Sequence, residues 1–521
     1  MLSKITHSRP ASTQATISIL AMFAMLVMAA TFMALYPPWD FQLLAWVATA
    51  PCVVFLSPFF RRARSRAALA GLAFGQIAGL TIVGPWMFPA AVDFFGWSAT
   101  YAGLFTAGII FIHVAIFYAP LMAGVATLAY MGPVFRILGV ATLWTAQETI
   151  RAHTLFGNPW AQLGQAAAAG PFLGLLSIAG TPALTWLVAA IGAAIGCTVI
   201  ARDPRERLRA VATGTVILGL AFALVSLVPT SGSTSATRST LRVATIDPQI
   251  ERKELWDPLR SQEHLRRYLS ISRAMTVNNP ELIVWPENAV PFLLDADSDA
   301  RQAIQSLADD SNAAVILGAG RSATNDGRVS VRNSVWLFTP GQPPQTYDKR
   351  RLLPYIEEAP QWLDRTLPDR WGMDYEPGGA AVVWKWKNWN IAPLVCFEAI
   401  YPRFARDAIA NGADLLVNVT NDSWFSSAGG PGQHFAIARL RSAEVGVPMV
   451  RVAAGGRSAA LDATGRMVAP ETTGENGAVY VLQHDSKRTV YVAGGYLAEW
   501  CNVIAALGLL LVANRKQRQL S

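Results

Sequence analysis

The sequence predicts a two-part fold: a multi-pass α-helical membrane domain joined to an α/β layered domain. Three observations carry this expectation. Apolar residues make up 52% of the 521 and concentrate in 15–230 and 490–513, while 230–489 has ordinary globular composition. Lys and Arg cluster beside alternate apolar stretches. Between 241 and 482, short β-branched runs alternate with helical patterns.

A helix needs about 20 apolar residues to cross a bilayer core. The candidate spans are 15–36, 41–60, 67–88, 100–131, 134–152, 170–198, 210–229 and 490–513. Pro37-Pro38 and Pro58 bound the second, and the fourth is long enough to tilt or to contain a kink at Pro120. Lys4 and Arg9 precede the first span; Arg61, Arg62, Arg64 and Arg66 follow the second. Arg202, Arg205, Arg207 and Arg209 follow the 170–198 span, and Arg515, Lys516 and Arg518 follow the last. Loops 37–40 and 89–99 carry neither Lys nor Arg. This alternation predicts cytoplasmic termini, with 230–489 on the opposite side of the membrane. The expected organisation is a membrane domain of about seven helices (1–229), a linker (230–240), the α/β domain (241–489), a C-terminal helix (490–513) and a tail (514–521). A cleaved leader over 1–36 is the alternative; the length of its apolar stretch and the charge alternation favour a span. The net charge of +8 is explained by these clusters, and without a basic face interleaved with aromatics nucleic acid is excluded as a partner.

Near the end of the 134–152 span, Glu148 and Arg151 are neighbours on a helix and read as an interfacial ion pair. The loop Asn158-Pro159-Trp160 reads either as an interfacial anchor or as part of a site.

In the α/β part, strands are expected at 241–246, 281–285, 313–318, 333–339, 381–384, 391–395, 414–420, 447–453, 458–461 and 478–482. Helices are expected at 258–277, 298–310, 402–411 and 433–445. Cys396 is the only cysteine between the spans, so no disulfide forms within this domain. It ends the apolar run Ile391–Val395 and precedes Phe397-Glu398, a strand exit suited to a nucleophile, although a free cysteine is also a common core residue. Glu287 follows the run 282–285 and Pro286, which directs its carboxylate to the C-terminal edge of a strand, where α/β proteins place ligands. Lys349 opens the triplet Lys349-Arg350-Arg351; such a run is usually solvated, but a buried lysine here would steady an oxyanion. Glu357 and Glu398 are acids that could hold the lysine, and His434 reads as structural or helix-starting rather than as a base. Neither a metal-ligand cluster nor a phosphate-cradling glycine loop occurs, so neither metal nor cofactor is expected.

Together, Trp285-Pro286-Glu287, Lys349 with Glu357, and Cys396-Phe397-Glu398 resemble the nitrilase (carbon-nitrogen hydrolase) superfamily over roughly 240–485. With the spans, Asn158-Pro159-Trp160, Asn421 to Phe425, Gly430 to His434, Arg439, Arg441 and Glu444, the whole chain resembles the apolipoprotein N-acyltransferase family. The resemblance implies a nitrilase-like α-β-β-α sandwich, in a multi-pass protein of the bacterial inner membrane, facing the periplasm. It implies a catalytic Glu287, Lys349 and Cys396, supported by Glu357, Glu398 and the backbone of Phe397. The implied reaction passes an acyl group from a phospholipid, through a Cys396 thioester, to the N-terminal diacylglyceryl-cysteine of a lipoprotein. Tyr355, Trp362, Leu363, Leu367 and Trp424 suit a lid or lipid-contact role. The chain departs from the family pattern at Asp247, at Ile356 and across Ala453 to Gly456. A nitrilase-like amidase or hydrolase, a paralogue with another amine acceptor, and an accessory protein of conjugal transfer are the alternatives.

Overall fold

The computed structural model describes residue 23 and residues 26–53, 64–154, 158–168, 170–228, 239–255, 257–325, 328–358, 375–425, 429–474, 476–484 and 488–520. Much of the expected spans 15–36 and 41–60, most of the linker, and Trp362, Leu363 and Leu367 lie outside the described residues.

Four described helices are long and apolar enough to cross a membrane: Ala99–Leu128, Thr181–Ile200, Pro204–Leu227 and Leu497–Gln519. Arg64–Ile82 and Gly84–Asp93 pass the same test as a pair bent by 59°. The sequence reads 67–88 as one span; Pro85 divides it because it lacks an N–H and opens the second helix. The first limb packs tightly on the helix after Ile116: a Cβ on Gly71 would lie 2.2 Å from the Tyr118 carbonyl oxygen. Only glycine permits that approach. Pro120 lies inside the helix Ile116–Leu128, and a π-helical turn, Phe111–Ala115, precedes it. The expected 170–198 span starts later, at Thr181, because Gly180 adopts φ +70° and Pro182 takes the first turn. Gly494 and Gly495 likewise separate a short turn, Val490–Gly494, from the last helix, Leu497–Leu520.

Pro133–His153 carries the predicted pair, and both are buried inside the protein: Glu148 and Arg151 are each 2% exposed. Each holds the following loop. Glu148 accepts hydrogen bonds from Leu163 N–H (2.8 Å), Trp144 Nε1 (3.0 Å) and Thr185 Oγ1 (2.8 Å), while Arg151 Nη1 donates to the carbonyls of Asn158 (2.7 Å) and Trp160 (2.8 Å). Buried charges persist when they are saturated in this way.

The α/β part contains two sheets. The first has the strands β1 (Thr240–Ile246), β2 (Leu282–Val284), β3 (Val290–Leu293), β4 (Ala314–Asn325), β5 (Arg328–Phe338) and β6 (Gln345–Asp348). The second has β7 (Trp384–Trp386), β8 (Trp389–Val395), β9 (Leu415–Asn421), β10 (Met449–Ala454) and β11 (Ala459–Leu461); β12 (Thr472–Gly474) and β13 (Gly477–Gln483) return to the first. The orders are β12-β13-β1-β2-β4-β5-β6, with β3 beside β4, and β11-β10-β9-β8-β7. Strands β4 and β5 meet β9 and β8 across the interior. Helices Ser261–Met275 and Ser298–Ser311 cover one outer face, and Pro402–Ala410 covers the other. This α-β-β-α sandwich is the fold class the sequence predicts. The helix expected at 433–445 is two, Gly429–Ala438 and Leu440–Val445. The short strands β3, β6 and β12 were not expected; β3 contains Pro291, which disguises it.

Candidate active site

Three strand ends converge between the sheets. Glu287 follows β2, Lys349 follows β6, and Cys396 follows β8. All are buried, at 3%, 1% and 6% exposure. The basic triplet is therefore not a solvated run: its first member is inside the molecule.

Lys349 Nζ lies 3.4 Å from Glu287 Oε1 and 2.8 Å from Glu357 Oε2. Asn333 Nδ2 donates to both acids, at 2.7 Å to Glu287 and 3.0 Å to Glu357. The second oxygen of Glu287 accepts from the Asn421 N–H at the end of β9 (2.8 Å), and Glu357 also accepts from Leu353 N–H (2.7 Å). Burial alone would strip the charge from Lys349, but Glu287 and then Glu357 outweigh it and hold the ammonium pKa above its ordinary value. The backbone at Glu287 is equally confined: a Cβ on Gly318 would fall 2.5 Å from the Glu287 Cα.

Cys396 has φ +49°, in the left-handed region that a β-carbon resists. It opens a 3-10 turn, Cys396–Ile400, that swings the chain off β8. Burial pushes the thiol pKa up and the negative charge of Glu287 adds to this, opposed by Lys349, so the resting group is the neutral thiol. Glu398 does not touch the lysine ammonium. It clamps backbone instead, accepting from Arg350 N–H (2.7 Å), Arg351 N–H (3.2 Å), Val395 N–H (2.8 Å) and Tyr347 Oη (2.9 Å). The lysine's strand exit and the cysteine's are thereby fixed to one carboxylate. His434 lies behind the turn, with Nε2 3.3 Å from the Cys396 carbonyl oxygen and Nδ1 2.8 Å from Asp422. Arg451 Nη2 pairs with the other Asp422 oxygen at 2.8 Å. Burial and the neighbouring Arg451 depress the imidazole pKa, consistent with a structural histidine.

The turn borders an apolar cavity. Its walls include Phe95, Phe105 and Ile110 from the membrane helices and Phe397, Trp424 and Phe425 from the α/β domain, with Cys396 among them. Tyr355 also lines it, at φ +70°, with its hydroxyl 3.1 Å from His113 Nε2. Trp160 is 7% exposed rather than spread at a lipid surface, and its indole N–H donates to Gln433 Oε1 (2.8 Å). Gln433 Oε1 accepts also from Trp86 Nε1 (3.1 Å), while Nε2 donates to the carbonyls of Pro37 (2.9 Å) and Ile82 (3.0 Å). Sequence reasoning missed Gln433 and Asn333; the partners that define them are distant in the chain. Among the described residues no group of His, Cys, Asp and Glu could hold a metal ion.

Comparison with known proteins bears on this arrangement. The family model for the carbon-nitrogen hydrolases matches residues 242–489, and that for the apolipoprotein N-acyltransferase N-terminal domain matches 28–194. The apolipoprotein N-acyltransferase of Pseudomonas syringae pv. tomato is 31% identical over 476 residues, covering 85% of this chain and 91% of the relative. That of Azotobacter vinelandii is 30% identical over 460 residues, covering 83% and 87%. An amidase from Nesterenkonia sp. aligns with 52% of this chain and 99% of its own, at 18% identity and a TM-score of 0.38. By its matches at both ends and along most of its length, the chain belongs to the apolipoprotein N-acyltransferase family.

Proposed function

We propose that the protein transfers an acyl chain from a phospholipid to the α-amino group of a lipoprotein's N-terminal diacylglyceryl-cysteine, through a thioester on Cys396. The observation that carries this reading is the junction of a thiol, a carboxylate and an ammonium with an apolar cavity walled by membrane helices. Glu287 accepts the thiol proton as the sulfur attacks the ester carbonyl of the donor. The neutral resting thiol makes that base necessary. Negative charge develops on the carbonyl oxygen, where Lys349 Nζ and the Phe397 N–H are suited to receive it. The ester C–O bond breaks, the alkoxide takes the proton from Glu287, and a lysophospholipid leaves. The acceptor amine then attacks the thioester, giving up a proton to Glu287; the C–S bond breaks and the thiol is restored. Asn333 and Glu357 keep Lys349 beside Glu287 throughout.

An apolar cavity favours transfer to an amine over hydrolysis, since it disfavours water beside the thioester. Both substrates are lipid-anchored, so the acyl chain need not cross water. Loop charges support a catalytic part on the periplasmic side with cytoplasmic termini, and domains at 1–229, 241–489 and 490–513. Incubating the purified protein with radiolabelled phospholipid should give a hydroxylamine-sensitive adduct on Cys396, discharged to an amide by a diacylated lipopeptide. Failure of wild-type protein to form any adduct, with phospholipid in excess, sinks the proposal.

A further inference from the structure

A second cavity, of about 360 Å³, lies across Tyr401 from the apolar one; Tyr401 borders both. It sits where Pro133–His153 ends and where Thr181–Ile200 and Leu497–Leu520 begin, against the turn and helix that follow Cys396. It is less apolar than the first cavity, and it is basic. Arg351 and Arg403 line it, their guanidinium carbons 5.5 Å and 5.6 Å from the centre of the Tyr401 ring. Among the described residues neither guanidinium has an ion-pair partner; Arg403 is exposed, and Arg351 hydrogen-bonds the Tyr401 side chain while its buried Nε has no acceptor. Thr149 also lines the cavity; it is 1% exposed, and its hydroxyl has no partner among the described residues. Glu499, the acid on the wall, is already engaged by His153 Nε2 (3.3 Å) and Tyr491 Oη (3.0 Å). Arg406 stacks on Tyr496, a wall residue, at 3.8 Å and adds positive charge.

Buried donors without acceptors are costly, and this wall holds two, Arg351 Nε and the Thr149 hydroxyl, so the site is shaped for a ligand rich in acceptors. Two guanidiniums and a hydroxyl, all donors, match a phosphate oxygen set. At about 30 Å³ per water the cavity has room for roughly ten heavy atoms, enough for a phosphodiester with a small alcohol. We infer that this cavity is a phosphodiester-binding subsite, holding the headgroup of the lipid whose acyl chain enters the apolar cavity on the other side of Tyr401. The inference rests on the proposed reaction only in taking the donor to be a phosphodiester lipid. It gives each cavity one half of an amphipathic substrate, with the Cys396 turn between them.

The test measures binding without chemistry. Full-length Cys396→Ala protein in maltoside micelles is titrated with dihexanoylphosphatidylethanolamine and, separately, with dihexanoylglycerol, which lacks the phosphate. Binding is read by native mass spectrometry. The phospholipid should bind at least tenfold more tightly, and that preference should vanish in the added Arg351→Gln/Arg403→Gln pair. The Lys/Lys pair should regain most of it, because a phosphate accepts a point charge. Thr149→Val, which leaves the charges intact, should lower the preference a few-fold and serves if the glutamine pair fails to fold. Equal binding of both lipids, or a preference that survives the folded glutamine pair or Thr149→Val, overturns the inference. Millimolar inorganic phosphate is the last arm: no displacement of the phospholipid supports a lipid site, and full displacement overturns the headgroup assignment in favour of free phosphate. Because Cys396 is absent throughout, a protein that binds as expected but never forms a thioester would defeat the reaction and leave the subsite standing.

Discussion

Replacing Gln433 with leucine tests whether the two halves of the chain work as one active site. The leucine is similar in size and fills the same space, so the change removes hydrogen bonds and little packing. Two indole N–H groups, from Trp86 and Trp160, lose their acceptor, and the carbonyls of Pro37 and Ile82 lose their donor. Only one amide orientation satisfies all four, and each group stranded in a buried seam costs about 1–3 kcal/mol. Relaxation and shared partners make the sum less than additive, so a loss of about 2–4 kcal/mol is expected. Thermal unfolding in micelles, followed by tryptophan emission, reads it directly because two of the affected groups are the chromophores. Gln433 adjoins His434, which touches the Cys396 carbonyl, so the rate of Cys396 acylation should fall roughly tenfold as well. Gln433→Glu keeps the acceptors for the indoles and should lie between. A leucine variant within about 0.5 kcal/mol of wild type, acylating at the same rate, would refute the reasoning.

Other perturbations have equally definite outcomes. Lys349→Met leaves Glu287 and Glu357 facing each other inside the protein; adduct formation should drop by about 10² or more, and stability by roughly 3–5 kcal/mol, seen in the same assays. Gly318→Ala forces the backbone at Glu287 to move and should slow acylation without changing phospholipid affinity, a split that single-turnover kinetics resolves. Asp247 is 8% exposed, and burial raises its pKa from 3.8 to about 6 despite hydrogen bonds from Gln249 and Gly455. A raised acid favours folding while protonated, so its contribution is complete below about pH 4 and is lost as pH rises through 6. Asp247→Asn should therefore flatten stability between those values and raise it at pH 7–8 by up to about 3 kcal/mol, measured by melting at each pH.

The sequence made some of this legible and hid the rest for physical reasons. Glu287 and Cys396 stand out because each closes a strand-like run, whereas Lys349 was marked only by its basic triplet and the family resemblance, since its strand, β6, gave no signal of its own. β-branched runs with helical patterns between them made an α/β layered domain readable, and the resemblance to the nitrilase superfamily narrowed it to the sandwich. The bend at Gly84-Pro85 was hidden, since apolar composition records that a segment belongs in lipid but not whether it is straight. Glu148 and Arg151 looked interfacial because burial depends on what packs against them, here the loop that they tie down. Asn333 and Gln433 were invisible. An amide's worth lies in its partners, and those of Gln433 stand up to 396 positions away.

The composite wall of the apolar cavity divides inheritance between two regions of one gene. On the proposed reaction, changes among Phe95, Phe105 and Ile110 should alter which chain lengths are accepted without disturbing the reacting groups, and changes near Cys396 should alter reactivity without redrawing the cavity. Where the regions meet, at Gln433 and Tyr401, such independent drift ends: a substitution there must be answered from the other side, so those positions are where hybrids spliced from two relatives should first fail.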